Sequence, residues 1–440
     1  MHQTKLLSVS ISILLILTIF IACLSNHKQE EAKTDAVALI YGQPAKDSFK
    51  VRALTAVKYE RTAERLKRGE YLAKGILECF MCHSERDWKL PGAPPITDKL
   101  GSGKILYEDS TKRWAPPNIT PDKETGAGTW TDDMFARAIR EGVGHDGRAL
   151  DAMPYDNFKH LSDENLASVI VYIRSLPPVH NVVPPTTIPA GDRSWIEKSL
   201  RPITEPVLAP DSSNPKTLGR YLVSIAGCVD CHTLHADYSP GAYAGGNMID
   251  HGHGKAFSLN ITPDPSGMAY GPEGFIFVIR TGKGGTLSNN MPWAAFKNMN
   301  DDDLKSIYAY LRTVPPSQHY ISNNAPFTMC AICGQLHGLG NKNKLEKPAG
   351  IKLDDDAYST YTGTYLNKDQ NSTPLIFRKG NELIFQPWKN GPKIGLIAQS
   401  QVHFLAPGWY FPLTFIKDKN GRVLEIKEDT EEGLVYEKIK

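Results

Sequence analysis

The sequence predicts a multi-domain protein: two mainly α-helical domains that arise from an internal duplication, followed by a small all-β domain. Three observations predict it. The motif Cys79-Phe-Met-Cys82-His83 returns as Cys228-Val-Asp-Cys231-His232. The text around each copy repeats in the same order, the mark of a duplicated unit. From about residue 357 the hydrophobic period changes from that of helices to that of short strands.

At 440 residues the chain is long enough for several domains, each with its own core. Its 50 basic and 48 acidic residues nearly cancel, which argues against nucleic acid or an acidic polymer as a partner.

The N-terminus opens with His2 and Lys5 and an apolar run from Leu6 to Ala22, then Cys23 and a polar, charged stretch. The run is short for a membrane span and suits the apolar core of an export signal. Phe20-Ile21-Ala22-Cys23 resembles the end of a bacterial lipoprotein signal, which implies a signal peptide over 1–22 and lipidation of Cys23. An uncleaved N-terminal anchor is the alternative. Either would tether the protein to a membrane, facing the periplasm or the cell exterior. Residues 23–57, with Gln29, Glu30, Glu31, Lys33 and Asp35, read as the tether.

The first helical domain is expected over 58–182 and the second over 217–320. Gly69-Glu70-Tyr71-Leu72 precedes the first cysteine motif and Gly219-Arg220-Tyr221-Leu222 the second. Asn118-Ile119-Thr120-Pro121-Asp122 answers Asn260-Ile261-Thr262-Pro263-Asp264, and Met153-Pro154-Tyr155 answers Met291-Pro292-Trp293. Helices are expected over 65–78 and 217–227, delivering the cysteines, and from Thr131 through Arg140 to a stop near Gly142. Ser162 and Asn300 read as N-caps with acidic first turns. Leu166, Val169, Ile170 and Ile173 form one helical stripe, as do Leu304, Ile307, Tyr308 and Leu311. Prolines at 177–178 and 315–316 end these helices.

A proline-rich linker with a short helical candidate around Trp195 is expected over 183–216, and a second linker, carrying Cys330 and Cys333, over 321–356. The β-domain follows over 357–440, with about eight short strands curled into a sheet or partial barrel.

The chemistry lies in the cysteine motifs. C-x-x-C-H is the spacing that attaches a c-type haem: two thiols on one helical turn reach the two vinyl groups, and the next residue presents imidazole to iron. The cofactor expected is therefore two covalent haems, held by Cys79, Cys82 and His83 and by Cys228, Cys231 and His232. Met153 and Met291 recur at matched positions just before the last long helix of each repeat, which makes them the candidates for the second axial ligand. Thioether ligation raises the potential and leaves no open coordination position. His145, His160, His251 and His253 compete less well, because none recurs in both repeats. The two Asn-Ile-Thr-Pro loops are expected at the haem edge, their polar groups and Arg140 and Arg280 available to a propionate; solvated arginines are the plainer alternative. Cys330-Ala-Ile-Cys333 is followed by Gly334, so a disulfide is the default in an oxidising compartment. A metal site using His337 is the alternative, one ligand short of a closed zinc site.

Asn118–Asp122, Trp130-Thr131, Arg140–Val143, Ala152–Tyr155 and Leu176–Pro178 together resemble the class I cytochrome c domains in cytochrome subunits of membrane-bound bacterial alcohol, aldehyde and gluconate dehydrogenases. The resemblance covers about residues 60–320. It implies axial ligation by His83 with Met153 and by His232 with Met291. Those subunits typically carry three haems, whereas this chain has two motifs and a β-domain in place of the third.

The expected function is that of a dihaem electron carrier between a dehydrogenase or quinol donor and a terminal acceptor, with redox proteins (a dehydrogenase, an oxidase or another cytochrome) as partners. The catalytic alternative is a dihaem peroxidase or oxidoreductase. Another is a partner-binding β-domain served by the cytochrome units.

Overall fold

The computed structural model describes residues 51–189, 196–197, 200–234, 240–250, 254–284, 287–288, 290–344, 350–368, 372–389, 391–406, 412–429 and 434–440. Cys23, most of the expected tether, Trp195, His251 and His253 lie outside them.

Each helix leading into a cysteine motif crosses the last long helix of its own repeat at a glycine. In the first repeat α1 (Ala63–Tyr71) leads to the short α2 (Cys79–Cys82), followed by α3 (Asp132–Glu141), α4 (Tyr155–Phe158) and α5 (Asp163–Arg174). The second repeat has α6 (Pro215–Ile225), α7 (Cys228–His232), α8 (Pro272–Thr281), α9 (Trp293–Phe296) and α10 (Asp301–Leu311) in the same order. A Cβ on Gly69 would lie 1.9 Å from the Ser168 carbonyl oxygen of α5, and one on Gly219 would lie 1.9 Å from that of Ser306 in α10. Only glycine lets these backbones approach so closely.

The caps form as the sequence predicts. The side chains of Thr131, Ser162 and Asn300 accept the N–H groups of Met134, Asn165 and Asp303. Gly142 and Gly282 end α3 and α8 in the left-handed conformation, at φ 67° and 62°. One expectation changes. The helix predicted over 65–78 passes into a π-turn at Leu72–Ile76, where the Leu77 N–H donates to the Leu72 carbonyl at 2.9 Å. The cause is countable: Cys79 lies ten residues after Gly69, but Cys228 lies nine after Gly219. The π-turn absorbs the extra residue, so both motifs leave the crossing in the same pose.

The repeats share one core. Leu72, Ile76, Leu166 and Ile170 of the first cluster with Leu222, Ile225, Leu304 and Ile307 of the second. Their polar ties are reciprocal. The Tyr71 hydroxyl donates to the Asp303 carboxylate at 2.6 Å and accepts the Asn300 N–H at 3.1 Å, closing the start of α10. The Tyr221 hydroxyl accepts the Ser162 N–H at 3.2 Å and the Asn165 amide at 2.7 Å, closing the start of α5.

The flanking segments are more ordered than tether and linker imply. Arg52 pairs with Asp133 and Glu141, both at 2.7 Å, and the Tyr59 N–H donates to Asp132 at 2.7 Å, so the end of the expected tether packs on α3. Thr187 exchanges backbone hydrogen bonds with Arg113 at 2.9 Å each way. Each repeat carries a two-stranded antiparallel ladder, β1 (Tyr107–Glu108) with β2 (Arg113–Trp114) and β3 (Met248–Ile249) with β4 (Ala256–Phe257), and residues 321–356 contain a longer antiparallel hairpin, β5 (Ser322–Met329) with β6 (Leu336–Gly338). Asn323 pins it to the second repeat, accepting the Phe257 N–H at 2.7 Å and donating to its carbonyl at 3.1 Å.

The C-terminal region is a closed eight-stranded antiparallel barrel formed by β7 (Gly363–Leu366), β8 (Leu375–Lys379), β9 (Glu382–Gln386), β10 (Ile394–Ala398), β11 (His403–Leu405), β12 (Leu413–Lys417), β13 (Val423–Glu428) and β14 (Val435–Lys438). The strand count matches the expected eight or so, and the sheet, expected as curled or a partial barrel, closes fully. Side chains fill the interior: the Phe404 and Phe415 rings lie 4.9 Å apart, with Tyr361 about 5 Å from each. An eight-stranded barrel is just wide enough for such a filling.

Candidate functional site

Both cysteine motifs begin at a left-handed residue, Glu78 at φ 52° and Gly227 at φ 64°. The reversal turns one helical turn, Cys79–Cys82 or Cys228–His232, back against the core. The three-residue spacing puts both thiols of a motif on one side of that turn. The backbone of each histidine is then held by a hydrogen bond from a glycine. The His83 carbonyl accepts the Gly103 N–H at 2.8 Å and the His232 carbonyl accepts the Gly245 N–H at 2.7 Å.

The rings are fixed as well. His83 Nδ1 lies 2.9 Å from the Pro117 carbonyl and His232 Nδ1 2.7 Å from the Leu259 carbonyl. A carbonyl only accepts, so each Nδ1 carries the proton and each Nε2 keeps its lone pair free for a metal. Burial also pushes both imidazoles below their ordinary pKa, which favours the neutral, ligating form. Pro117 and Leu259 escaped the sequence reading because they act through backbone. Their one signal is position, immediately before the repeated Asn-Ile-Thr-Pro-Asp.

The repeated loop braces the backbone in both repeats. Asn118 is buried, and its amide donates to the Val179 carbonyl at 2.7 Å while its oxygen accepts the Thr120 N–H at 3.0 Å. Asn260 makes the same bonds to Ser317 and Thr262, at 2.7 and 2.9 Å. Both asparagines brace the chain that leaves the last helix. Arg140 and Arg280 likewise tie the start of that helix, pairing with Asp163 at 2.7 Å and Asp301 at 2.6 Å.

In the first repeat the expected ligands converge. Cys79, Cys82, His83 and Met153 line one cavity of about 410 Å³, walled by apolar side chains such as Ile119 and Phe135. That volume is of the size that takes a cofactor-scale ligand, ~300–1,000 Å³. Thiols on one wall, a free imidazole lone pair and a thioether make the donor set a c-type haem requires, and the residues present fit it. His145 also lines this cavity, its ring stacked on Trp130 at 4.3 Å. Cys231 of the second motif reaches the same cavity. Asn157, which follows Met153 on α4, donates to Asp230 of the second motif at 2.5 Å. Met81 of the first motif packs on Ala294 and Ala295 of α9, which follow Met291. Met291 itself is partly buried against the shared core.

Burial holds the Cys79 and Cys228 thiols up at about 12 and Cys231 at about 11. Glu78, in the wall of the cavity, is pushed up to about 8 by burial, with Arg86 opposing. The equivalent position before the second motif is Gly227, which carries no side chain.

Cys330 and Cys333 are buried free thiols in the structure, where the sequence led us to expect a disulfide. They sit in the turn of the β5–β6 hairpin and cluster with Leu234, two residues beyond His232. Among the described residues no helix is long and apolar enough to cross a membrane.

No family model matches the chain. Curated proteins do. The fructose dehydrogenase cytochrome subunit of Gluconobacter japonicus is 28% identical over 333 residues, 63% of this chain and 65% of that protein. The gluconate 2-dehydrogenase cytochrome c subunit of Pantoea cypripedii is 33% identical over 183 residues, 38% of each chain. A diheme c-type cytochrome of Cereibacter sphaeroides is 26% identical over 265 residues, 54% of this chain and 82% of that protein. The chain thus spans less than two thirds of the two dehydrogenase subunits. It is a relative of the cytochrome c subunits of bacterial dehydrogenases, the family its repeated motifs resemble.

Proposed function

We propose that the chain is an electron-transfer protein that carries two covalent c-type haems, one on Cys79 and Cys82 and one on Cys228 and Cys231. His83 with Met153, and His232 with Met291, would ligate the two irons. One observation carries the reading: both thiols, the imidazole and the thioether of the first repeat line a single apolar cavity that also reaches the second motif. When bound, the haem iron supplies a one-electron ferric/ferrous couple.

The chain's own residues do the rest. The Pro117 and Leu259 carbonyls hold His83 and His232 neutral, in the tautomer that offers Nε2. Met153 and Met291 would each offer a thioether, a ligand that favours the reduced state. The apolar wall excludes water. The shared core and the reciprocal tyrosine ties keep both motifs in one rigid body, so little reorganisation accompanies a change of charge.

In this reading the protein accepts electrons from a dehydrogenase or a quinol and delivers them to an oxidase or another cytochrome. Relatives named as dehydrogenase subunits support a dehydrogenase as donor. Lipid on Cys23 would hold the protein at a membrane, outside the cytoplasm. Potentiometric titration of the membrane-extracted protein tests the redox role. Two reversible one-electron steps are expected, with rapid reduction by a co-purifying dehydrogenase given its substrate. Sustained turnover of peroxide would contradict the relay and favour the enzyme.

A further inference from the structure

We propose that His319, Cys330, Cys333 and His337 form a tetrahedral zinc site that fastens the β5–β6 hairpin to the second repeat. The four side chains are buried, and one ligand atom from each lies within 4.8 Å of all the others. Cys330 Sγ and His319 Nε2 are 3.6 Å apart. With Zn–S near 2.3 Å and Zn–N near 2.0–2.1 Å, two vertices of a tetrahedron are separated by about 3.6 Å.

Both imidazoles are set up as ligands. His319 Nδ1 lies 2.8 Å from the Ala244 carbonyl and His337 Nδ1 3.0 Å from the Gly338 carbonyl. Each Nδ1 is thereby the donor, and each Nε2 presents a lone pair. His337 Nε2 is buried with no hydrogen-bond partner. An orphaned buried nitrogen costs stability, and a metal removes that cost. The Cys333 N–H donates to Cys330 Sγ at 3.5 Å, as backbone does to a metal-bound thiolate.

The first repeat shows what His319 adds. Asn181 is its counterpart: Asn118 donates to the Asn181 carbonyl at 3.5 Å as Asn260 does to the His319 carbonyl at 3.4 Å. The Asn181 amide donates to the Ser102 carbonyl at 2.9 Å, matching His319 and Ala244. Asparagine does that bracing task completely. Histidine does it with one nitrogen and turns the other toward Cys330.

A disulfide would leave both Nε2 atoms without a partner. Zinc binding instead releases two thiol protons to solvent and joins two thiolates and two neutral imidazoles to one dication, leaving no net buried charge. His319 is anchored in the second repeat, its N–H donating to Ser266 Oγ at 2.8 Å, while the other three ligands lie on the hairpin. The metal would therefore be a strut, with all four positions taken by protein.

The test is metal analysis of the purified full-length protein, with X-ray absorption at the zinc edge. About one zinc per chain that survives dialysis against EDTA is expected, with two sulfur neighbours near 2.3 Å and two nitrogens near 2.0–2.1 Å. His319→Asn keeps the brace to Ala244 and should retain its haem while losing at least about nine-tenths of its EDTA-resistant zinc. Cys330→Ser/Cys333→Ser should lose zinc to the same degree. A Cys330–Cys333 disulfide by mass spectrometry, a shell of oxygens only, or unchanged zinc in either variant would overturn the proposal.

Discussion

The two helical repeats follow one plan and differ at three places around their cysteine motifs. The first reaches its motif through a π-turn and the second through a regular helix. The left-handed residue that opens the motif is Glu78 in the first and Gly227 in the second. The brace behind the histidine loop is Asn181 in the first and His319 in the second. The scaffold is held constant by glycine crossings, caps and backbone carbonyls, while the groups free to vary set the charge beside one motif and give the other a buried ligand cluster. Duplication here has kept the scaffold around the two motifs and changed the side chains beside them.

If the repeats are equivalent as cofactor sites, Cys79→Ala/Cys82→Ala and Cys228→Ala/Cys231→Ala should each remove half of the covalent haem, measured by pyridine haemochrome. Full retention in either variant would break the equivalence. The crossings give the next largest effect. Gly69→Ala and Gly219→Ala both force a Cβ to 1.9 Å from a carbonyl oxygen. Each should destabilise the protein by about 3 kcal/mol, the upper end of the usual cost of overpacking, read from denaturant unfolding, and by similar amounts. Tyr71→Phe and Tyr221→Phe keep the ring and remove the reciprocal caps, at about 1–2 kcal/mol each. A loss in only one of them would mean that the interface is not symmetric.

Glu78 gives the smallest effect and the one specific to a single repeat. Its pKa is raised from 4.5 to about 8 in the folded state. Below 4.5 the carboxyl is neutral in both states, and its full contribution to stability is present. As pH rises from 4.5 to about 8 the unfolded chain gives up the proton while the folded chain keeps it, so that contribution is progressively lost. Glu78→Gln should flatten the fall in melting temperature across this window. An unchanged slope would show that the carboxylate is already solvated.

The cysteine motifs, their histidines and the duplication were legible because covalent attachment and ligation demand fixed spacing. The caps at Thr131, Ser162 and Asn300 were legible because a side-chain acceptor before an acidic turn is a local signal. The π-turn was readable in principle, since it is one residue counted between Gly69 and Cys79. The roles of Pro117, Leu259 and the Asn118 and Asn260 amides were not, because they depend on which backbone lies opposite. His319 was missed for the same reason. It stands eleven residues before Cys330, and only the fold of the hairpin brings it to the thiols. The barrel was legible as a class, but its closure was not, because which strand edges meet is set by long-range pairing that no local pattern carries.

Spectroscopy of the intact protein tests the central claim most directly: mass spectrometry to count covalent haem, and electron paramagnetic resonance to report the spin state. The account expects two haem additions per chain, both irons low-spin when oxidised, and no carbon monoxide uptake when reduced. A chain without covalent haem, or a high-spin iron that binds carbon monoxide readily, would contradict it.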